Sequence, residues 1–500
     1  MSITHRVFAS SAFQVAINIM QRLIGVVSTL ILARLLTPND FGIIAILAIT
    51  IHLTDILSDA GSQQYIIQKQ DTDDDDLNTS WTIDIIGKCT LTLVICLLAP
   101  AIANTLDNPL LTDAIRLIAL SIPLRALRNP GLILLAKELQ YQKLFKLNLY
   151  QKLLSFAAVM LVVVIHPSYW AIIAGDIVAA AILLIGSYQV HSFRPQLTLQ
   201  RFKQQWAFSQ WSLLRGITGF LRSQADILIV SKLFPTGKLG GYHLQRELAL
   251  IPALSLVIPA IEPLMTAIAK AKYDTELLGY RIRLSLLTLF TLLFPLSVFI
   301  FLQSELIVTV LLGKQWIPQH QLLAYFSLMF FAFCLHALIS DCFTAIDRLK
   351  TLFFFDLLST VVIIAVLLAA MHTDLNTFAL IRGGAGLIIT ASLLLLLNVL
   401  IQFKLTTLLI NCIAPLAAGL MAFLVNQQLN AAIPASPWAL IDLGLATIIY
   451  FGSYSIVFLL LANLLCQLAK TQSEPLEETE QLLHNMYSVA NALKRRLKFE

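Results

Sequence analysis

From about residue 9 to residue 466 the chain is a succession of apolar stretches, each of bilayer-spanning length and each followed by a short polar gap. A hydrocarbon core ~30 Å thick takes about 20 residues of helix to cross. Inside it every backbone N–H and C=O must be satisfied within the segment, so such stretches are helices. Hydropathy and helix breakers place the spans at 9–36, 41–66, 80–106, 110–136, 144–166, 168–190, 205–233, 240–268, 282–303, 318–346, 350–371, 375–400, 405–426 and 438–466. The expectation is an all-α polytopic membrane protein of about 14 transmembrane helices. Charged residues make up 13% of the chain, against about 25% in an average protein. No soluble domain fits between the spans.

Lys and Arg are retained on the cytoplasmic side, and their placement sets the orientation. Arg6, Lys69, Lys137, Lys143, Lys146, Arg194, Arg201, Lys203, Lys270, Lys272, Arg281, Arg283, Arg348, Lys350 and Lys404 fall on one set of span ends. The opposite set holds little beyond Arg34, Lys232, Lys238 and Lys314. Both termini are therefore expected in the cytoplasm, with an even number of spans. The net charge of +5 is no argument for a nucleic-acid partner, and none is expected, because in a membrane chain the position of the cations matters more than their sum. The first apolar run contains Gln14, Asn18, Gln21 and Arg22 and lacks a small-residue cleavage site, so it reads as a retained helix. The six cysteines sit in or beside apolar spans without a CxxC pair, which supports neither a metal site nor a disulfide framework. The aspartates from Asp71 to Asp76 read as a solvated loop. Leu476, Leu483 and Met486, with acids early and Lys494, Arg495 and Arg496 late, predict an amphipathic helix lying on the membrane or on a partner. Truncation after Lys470 is expected to spare folding.

Residues 31–43, ILARLLTPNDFGI, can be laid on 229–241, IVSKLFPTGKLGG, with Arg34 on Lys232, Leu35 on Leu233 and Gly42 on Gly240. Each copy ends an odd span and opens the next. In the first, Thr37 suits a cap, Pro38 the first helical position, and Asp40 the positive end of the helix dipole. The offset contains about six spans, an even number, so the two halves run parallel about an axis normal to the membrane. This layout divides the chain into residues 1–200, 201–403, a trailing helix pair at 404–469 and a tail at 470–500. Two six-helix lobes with a trailing pair, and the phrase Ala33-Arg34-Leu35-Leu36-Thr37-Pro38-Asn39-Asp40-Phe41-Gly42, resemble the polysaccharide-transporter (Wzx-type) family of the MOP flippase superfamily. The resemblance implies a MATE-like fold with a central cavity between lobes. It also implies transport of a polyprenyl-pyrophosphate-linked oligosaccharide across the bacterial inner membrane for surface polysaccharide biosynthesis. The partners it implies are that substrate, membrane lipids and other polysaccharide-assembly membrane proteins.

Ionisable groups inside a span are costly unless they pair, snorkel or face water, so each is a candidate site. In the seventh span Arg215, Gly219, Arg222 and Asp226 recur at helical spacing along one stripe. The alternatives for that stripe are an internal Arg222–Asp226 pair and a cavity wall whose guanidinium forks meet phosphate bidentately. Arg22 lies near mid-depth of the first span. Arg125 in the fourth, and Arg382 before three glycines in the twelfth, complete the candidate substrate-binding set. Asp55 and Asp226 are candidates for ion or proton coupling, and Asp59 is a further acid at depth. Asp84 and Lys88, four residues apart, read as a structural pair. Arg246 and Glu247 are gate candidates, and Pro123, Pro130, Pro252, Pro259 and Pro263 supply kinks. The excess of deep arginines favours an anionic substrate over the cationic solutes of a MATE-type exporter. No phosphate-binding G-x-x-x-x-G-K-[ST] and no H-E-x-x-H occur, and no cofactor, metal or catalytic residue is expected. The enzyme alternative is a polysaccharide polymerase or ligase, which would place catalytic groups in a substantial outer loop. The outer loops here are brief.

Overall fold

The computed structural model describes residues 3–58, 62–69, 71–432, 437–471 and 476–496, and all regular structure among them is helical. Asp59, in the expected second span, lies outside the described residues. The chain divides into two compact units, Met1–Leu244 and Gln245–Glu500.

The first unit contains α1 (Ile3–Leu35), α2 (Pro38–Ser58), α3 (Ser62–Gln68), α4 (Asp74–Thr105), α5 (Leu110–Ala119), α6 (Ser121–Ala126) and α7 (Gly131–Lys137). It continues with α8 (Tyr141–Ile165), α9 (Trp170–Val190), α10 (Phe202–Leu233) and the start of α11 (Thr236–Pro252). The second unit takes up the rest of α11, a π-helical turn at Ala253–Val257, α12 (Ile258–Ala269), α13 (Thr275–Leu302) and α14 (Ser304–Leu311). A 3-10 turn at Lys314–Gln319 leads into α15 (His320–Ala345), α16 (Leu349–Ala369) and α17 (Leu375–Ile401). The unit ends with α18 (Leu405–Asn411), α19 (Ile413–Ala432), α20 (Ala439–Thr471) and α21 (Glu477–Arg496).

Among the described residues 12 helical stretches are long and apolar enough to cross a membrane. The other two expected spans are helical but fall short for physical reasons. Pro123 and Pro130 break the stretch 110–136 into α5, α6 and α7, since each proline removes an N–H and collides with the carbonyl four residues back. The stretch 205–233 lies in one continuous helix, α10, but Arg215, Arg222 and Asp226 make it too polar to qualify on hydropathy alone. Proline acts again in the eighth span. The Pro259 ring would strike the carbonyl of Ser255, and the backbone opens into the wide π turn at Ala253–Val257.

The aspartate run is not a solvated loop. Asp73 caps α4, its side chain accepting from the Asp76 amide at 2.8 Å while Asp76 returns a bond to the Asp73 amide at 3.1 Å. Asp76 is wholly buried and pairs with Lys69 at 2.5 Å, a bond that lifts the Lys69 ammonium above the usual lysine range. The first turns of α4 bury Asn78, Thr79 and Thr82 as well, because they hold the extended segment between α9 and α10. Asn78 Oδ1 accepts from the Gln196 amide at 2.7 Å, Thr82 Oγ1 from Thr198 at 3.0 Å and Thr79 Oγ1 from Arg201 at 3.3 Å. Arg201 closes the strap on Asp73 at 2.8 Å. Burial works against the ionised Asp73 carboxyl, but the Asp76 amide and the Arg201 guanidinium outweigh it and hold the group down at about 2.

In the second unit α15 packs between α13 and α17. Phe326, Phe330, Phe343 and Phe378 are fully buried there, and Ser297 donates to the Ser327 carbonyl at 2.8 Å. Of the glycines after Arg382, Gly383 allows close approach: a Cβ there would lie 3.0 Å from the Tyr325 carbonyl and 3.1 Å from the Leu328 side chain, whereas Gly384 faces open space. The tail departs from expectation. The first half of α21 docks on its own chain, against α13 and α20, burying Leu476, Leu482, Leu483 and Glu478. Glu478 pairs with Arg283 Nε at 2.5 Å and accepts from Asn411 Nδ2 at 3.1 Å. Arg283 also donates to the Phe403 carbonyl at 2.7 Å.

Candidate functional site

α1 is a long helix with its polar residues grouped on one side. Beside Arg22, Gln21 donates to Asn148 of α8 at 2.9 Å, which ties the two helices together at that level. The Arg22 side chain is half-buried, and its Nη1 is a buried donor with no hydrogen-bond partner among the described residues. A guanidinium held at this depth with an unmatched donor is a costly arrangement in a folded chain, and an anionic group would relieve it.

The stripe on α10 separates by burial. Arg215 is exposed, Arg222 half-buried and Asp226 wholly buried. Asp226 accepts from the Tyr242 hydroxyl of α11 at 3.1 Å. One turn further along α11 is Gln245, wholly buried, with neither its amide oxygen nor its amide nitrogen matched among the described residues. Sequence reasoning passed over Gln245 for its neighbours Arg246 and Glu247. The signal available was a polar residue three positions from Tyr242, on the same helical face. Arg246 is buried and stands 3.9 Å from the exposed Glu247 carboxylate, a loose pair.

Arg125, at the end of α6, forms an ion pair with Asp176 of α9. Lys88 of α4 is buried and holds Asp84 at 2.8 Å, one turn away. The charges that bear most on Asp55 of α2 are Arg125, Lys88 and Asp176, and Lys152 of α8 is charge-coupled to Asp176. Two ion pairs, Asp84–Lys88 and Arg125–Asp176, thus lie inside the first unit, with the charges of Asp55 and Lys152 in electrostatic reach of them. Sequence spacing revealed the Asp84–Lys88 pair, since it lies within one helix; the partner of Arg125 lies 51 residues away and had no local signal. Arg382 is buried in α17, its Nη1 3.8 Å from where a Gly386 Cβ would stand. Among the described residues no group of three or more His, Cys, Asp or Glu is placed to hold a metal.

The two copies of the repeated motif meet. Thr37 and Asp40 form a reciprocal cap, with the Asp40 amide 3.3 Å from Thr37 Oγ1 and the Thr37 amide 3.1 Å from Asp40 Oδ2. Asp40 also accepts from the Tyr169 amide at 3.2 Å. A Cβ on Gly42 would lie 2.0 Å from the Thr236 carbonyl, and one on Gly240 would lie 2.0 Å from the Pro38 carbonyl. Each glycine therefore lets the other copy's backbone into contact.

The family model described as polysaccharide biosynthesis protein matches residues 31–321, from the first motif, at the end of α1, to the start of α15. The chain belongs to this family. Among curated members similar to it are the lipopolysaccharide biosynthesis protein WzxC of Escherichia coli (strain K12), 26% identical over 61% of this chain and 64% of that one. The succinoglycan biosynthesis transport protein ExoT of Rhizobium meliloti (strain 1021) is 23% identical over 57% of this chain and 58% of its own. The match thus spans less than two thirds of either relative. The fold is that of the lipid II flippase MurJ in its inward closed conformation, with a TM-score of 0.73 at 14% identity over 90% of this chain and 99% of that one. An inward-facing MATE multidrug transporter of the MOP superfamily follows at 0.58, 14% identity, 79% of this chain and 99% of that one. The all-helical, multi-pass, MATE-like fold expected from the sequence is the fold found.

Proposed function

We propose that this family member is a flippase that moves a polyprenyl-pyrophosphate-linked oligosaccharide across the bacterial inner membrane for surface polysaccharide assembly, with both termini in the cytoplasm. The observation that carries the reading is the buried, unmatched Nη1 of Arg22 at mid-depth of an apolar helix. A pyrophosphate supplies several charged acceptors to a guanidinium fork, and the contact is worth more where water is scarce. Arg215 and Arg222 add positive charge along α10 of the same unit, and Arg125, paired with Asp176, and Arg382, in the second unit, are the further cargo-binding candidates. Alternating access of such a cavity is the mechanism, with Arg246 and Glu247 at the gate. Asp55, in electrostatic reach of Arg125 and Lys88, and Asp226, bonded to Tyr242, are the groups through which an ion or proton would couple. The names of WzxC and ExoT, which place them in polysaccharide biosynthesis, and the MurJ-like fold support the same class of cargo.

A strain lacking the chain is expected to accumulate radiolabelled lipid-linked oligosaccharide on the inner membrane face, and the wild-type chain to clear it. Arg22→Ala should leave membrane abundance near wild type and clear none. Clearance by Arg22→Ala at the wild-type rate would refute the role of Arg22 in binding cargo.

A further inference from the structure

A polar cleft of about 420 Å³ opens in the first unit where α7 ends, α8 begins and α9 ends, lined by Glu138, Gln140, Lys143, Tyr188, His191 and Arg194 among others. Its volume is within the ~300–1,000 Å³ of small-molecule sites. Tyr188 is in the last turn of one membrane span and Lys143 in the first turn of the preceding one, which puts the cleft at headgroup level. None of the transport residues above lines it.

The lining is held in place by bonds that spare its charges. Asn129, wholly buried, fixes the chain beyond α9 by donating to the carbonyls of His191 at 3.1 Å and Phe193 at 2.8 Å. The Arg194 guanidinium reaches the same two carbonyls at 3.1 Å and 2.9 Å and stacks 5.5 Å over the Tyr188 ring. The His191 ring lies against Gly131, where a Cβ would come within 2.2 Å of Nδ1, and that nitrogen accepts from the Phe193 amide at 3.1 Å. Burial also lowers the His191 pKa, so the ring adds no charge near neutral pH. Two cations remain, Lys143 and Arg194, both exposed, and neither is in an ion pair among the described residues. One carboxylate faces them: Glu138, whose Oε2 accepts from Gln140 Nε2 at 2.7 Å.

Between these two lining residues is Leu139. It closes α7 in a left-handed conformation, φ 60°, with its amide on Ala136 and the next amide on Leu135. Glycine is the usual residue at this position because it adopts that φ without strain. Leucine instead puts an apolar side chain, 38% exposed, between two residues that line the cleft. Exposed apolar surface next in sequence to a polar lining, at headgroup level, suits a molecule with acyl chains.

We propose that this cleft binds a membrane phospholipid whose headgroup joins a phosphate to a primary ammonium: Lys143 and Arg194 take the phosphate, Glu138 takes the ammonium, and Leu139 lies along the glycerol and acyl region. Two cations opposite one carboxylate match that zwitterion better than they match a purely anionic headgroup, which would meet Glu138 unfavourably. The proposal is independent of the transport reading.

The test uses the purified full-length protein, stripped of lipid in detergent and titrated separately with phosphatidylethanolamine, phosphatidylglycerol and phosphatidylcholine. Retained lipid is counted by native mass spectrometry. Phosphatidylethanolamine should be held about tenfold more tightly than the other two, the difference expected of one charge-assisted hydrogen bond. Phosphatidylcholine has no ammonium proton to give Glu138. Glu138→Gln should bring phosphatidylethanolamine and phosphatidylglycerol to equal retention, and Lys143→Gln should weaken both. Leu139→Gly relaxes the backbone, so its folding is not threatened; it should weaken the lipid while leaving competition by free phosphoethanolamine unchanged. Equal retention of all three lipids by the wild type would overturn the proposal. So would an unaltered phosphatidylethanolamine preference in Glu138→Gln, or free phosphoethanolamine competing as well as the lipid does, which would assign the cleft to a soluble phosphate ester.

Discussion

Gly42 and Gly240 show how much a single hydrogen atom can decide. Each faces a backbone carbonyl of the other motif copy, and no side-chain rearrangement can move a carbonyl that belongs to a capped helix start. Gly42→Ala and Gly240→Ala should each destabilise the protein by about 1–3 kcal/mol in thermal unfolding, the usual cost of overpacking. Gly87→Ala and Gly384→Ala, with nothing within 4 Å of the new Cβ, should instead be neutral or gain up to about 1 kcal/mol of helix propensity. Asp73 supplies the pH dependence at this scale. Its folded pKa, about 2, lies below the ordinary 3.8, so its contribution is complete above the ordinary value and is lost as the pH falls through the folded one. Wild type should unfold at a higher temperature than Asp73→Asn at pH 6, and the difference should vanish as the pH falls from about 4 to about 2. A difference that persists undiminished at pH 2 would mean that the cap and the Arg201 bridge do not depend on the ionised carboxylate.

At the scale of elements, the docking of α21, a helix the sequence predicted, and the strap between α9 and α10 are what the sequence did not disclose. Both are held by polar contacts over long separations, and such contacts leave no periodicity in the chain. The tail has the heptad-like pattern of a surface helix, yet Glu478 is buried against Arg283, 195 residues away. The pair makes truncation after Lys470 costly, contrary to the sequence expectation, because it would leave the Arg283 charge without its carboxylate. Glu478→Ala should cost about 3–5 kcal/mol, the range for removing one member of a buried pair. Adding Arg283→Leu to Glu478→Ala should recover part of that loss. Additive losses in the double variant would show that the two side chains do not interact energetically.

For the whole molecule, the strong signals were those that repeat along the chain. Apolar length revealed the spans, cation placement the expected orientation, and the motif pair the family. The two spans that fail on hydropathy, 110–136 and 205–233, do so where prolines and intramembrane charges override it. Those same charges marked the candidate site, but which of them pair was decided by helix packing, as Arg125 and Asp176 demonstrate. Reporters fused after Lys143, Lys203 or Lys350 should read cytoplasmic and one after Asp107 external; Ala435, the other external position expected, lies outside the described residues. The central claim, that an intramembrane arginine recognises pyrophosphate, is tested most directly by flipping in proteoliposomes. Wild type and Arg22→Lys are compared on one fluorescent oligosaccharide linked to polyprenol through either pyrophosphate or a single phosphate. Wild type should move the pyrophosphate form faster by about tenfold or more, and Arg22→Lys should lose that preference, since an ammonium keeps the charge but not the planar fork. An unchanged preference in Arg22→Lys, or equal wild-type rates on the two lipids, would contradict it.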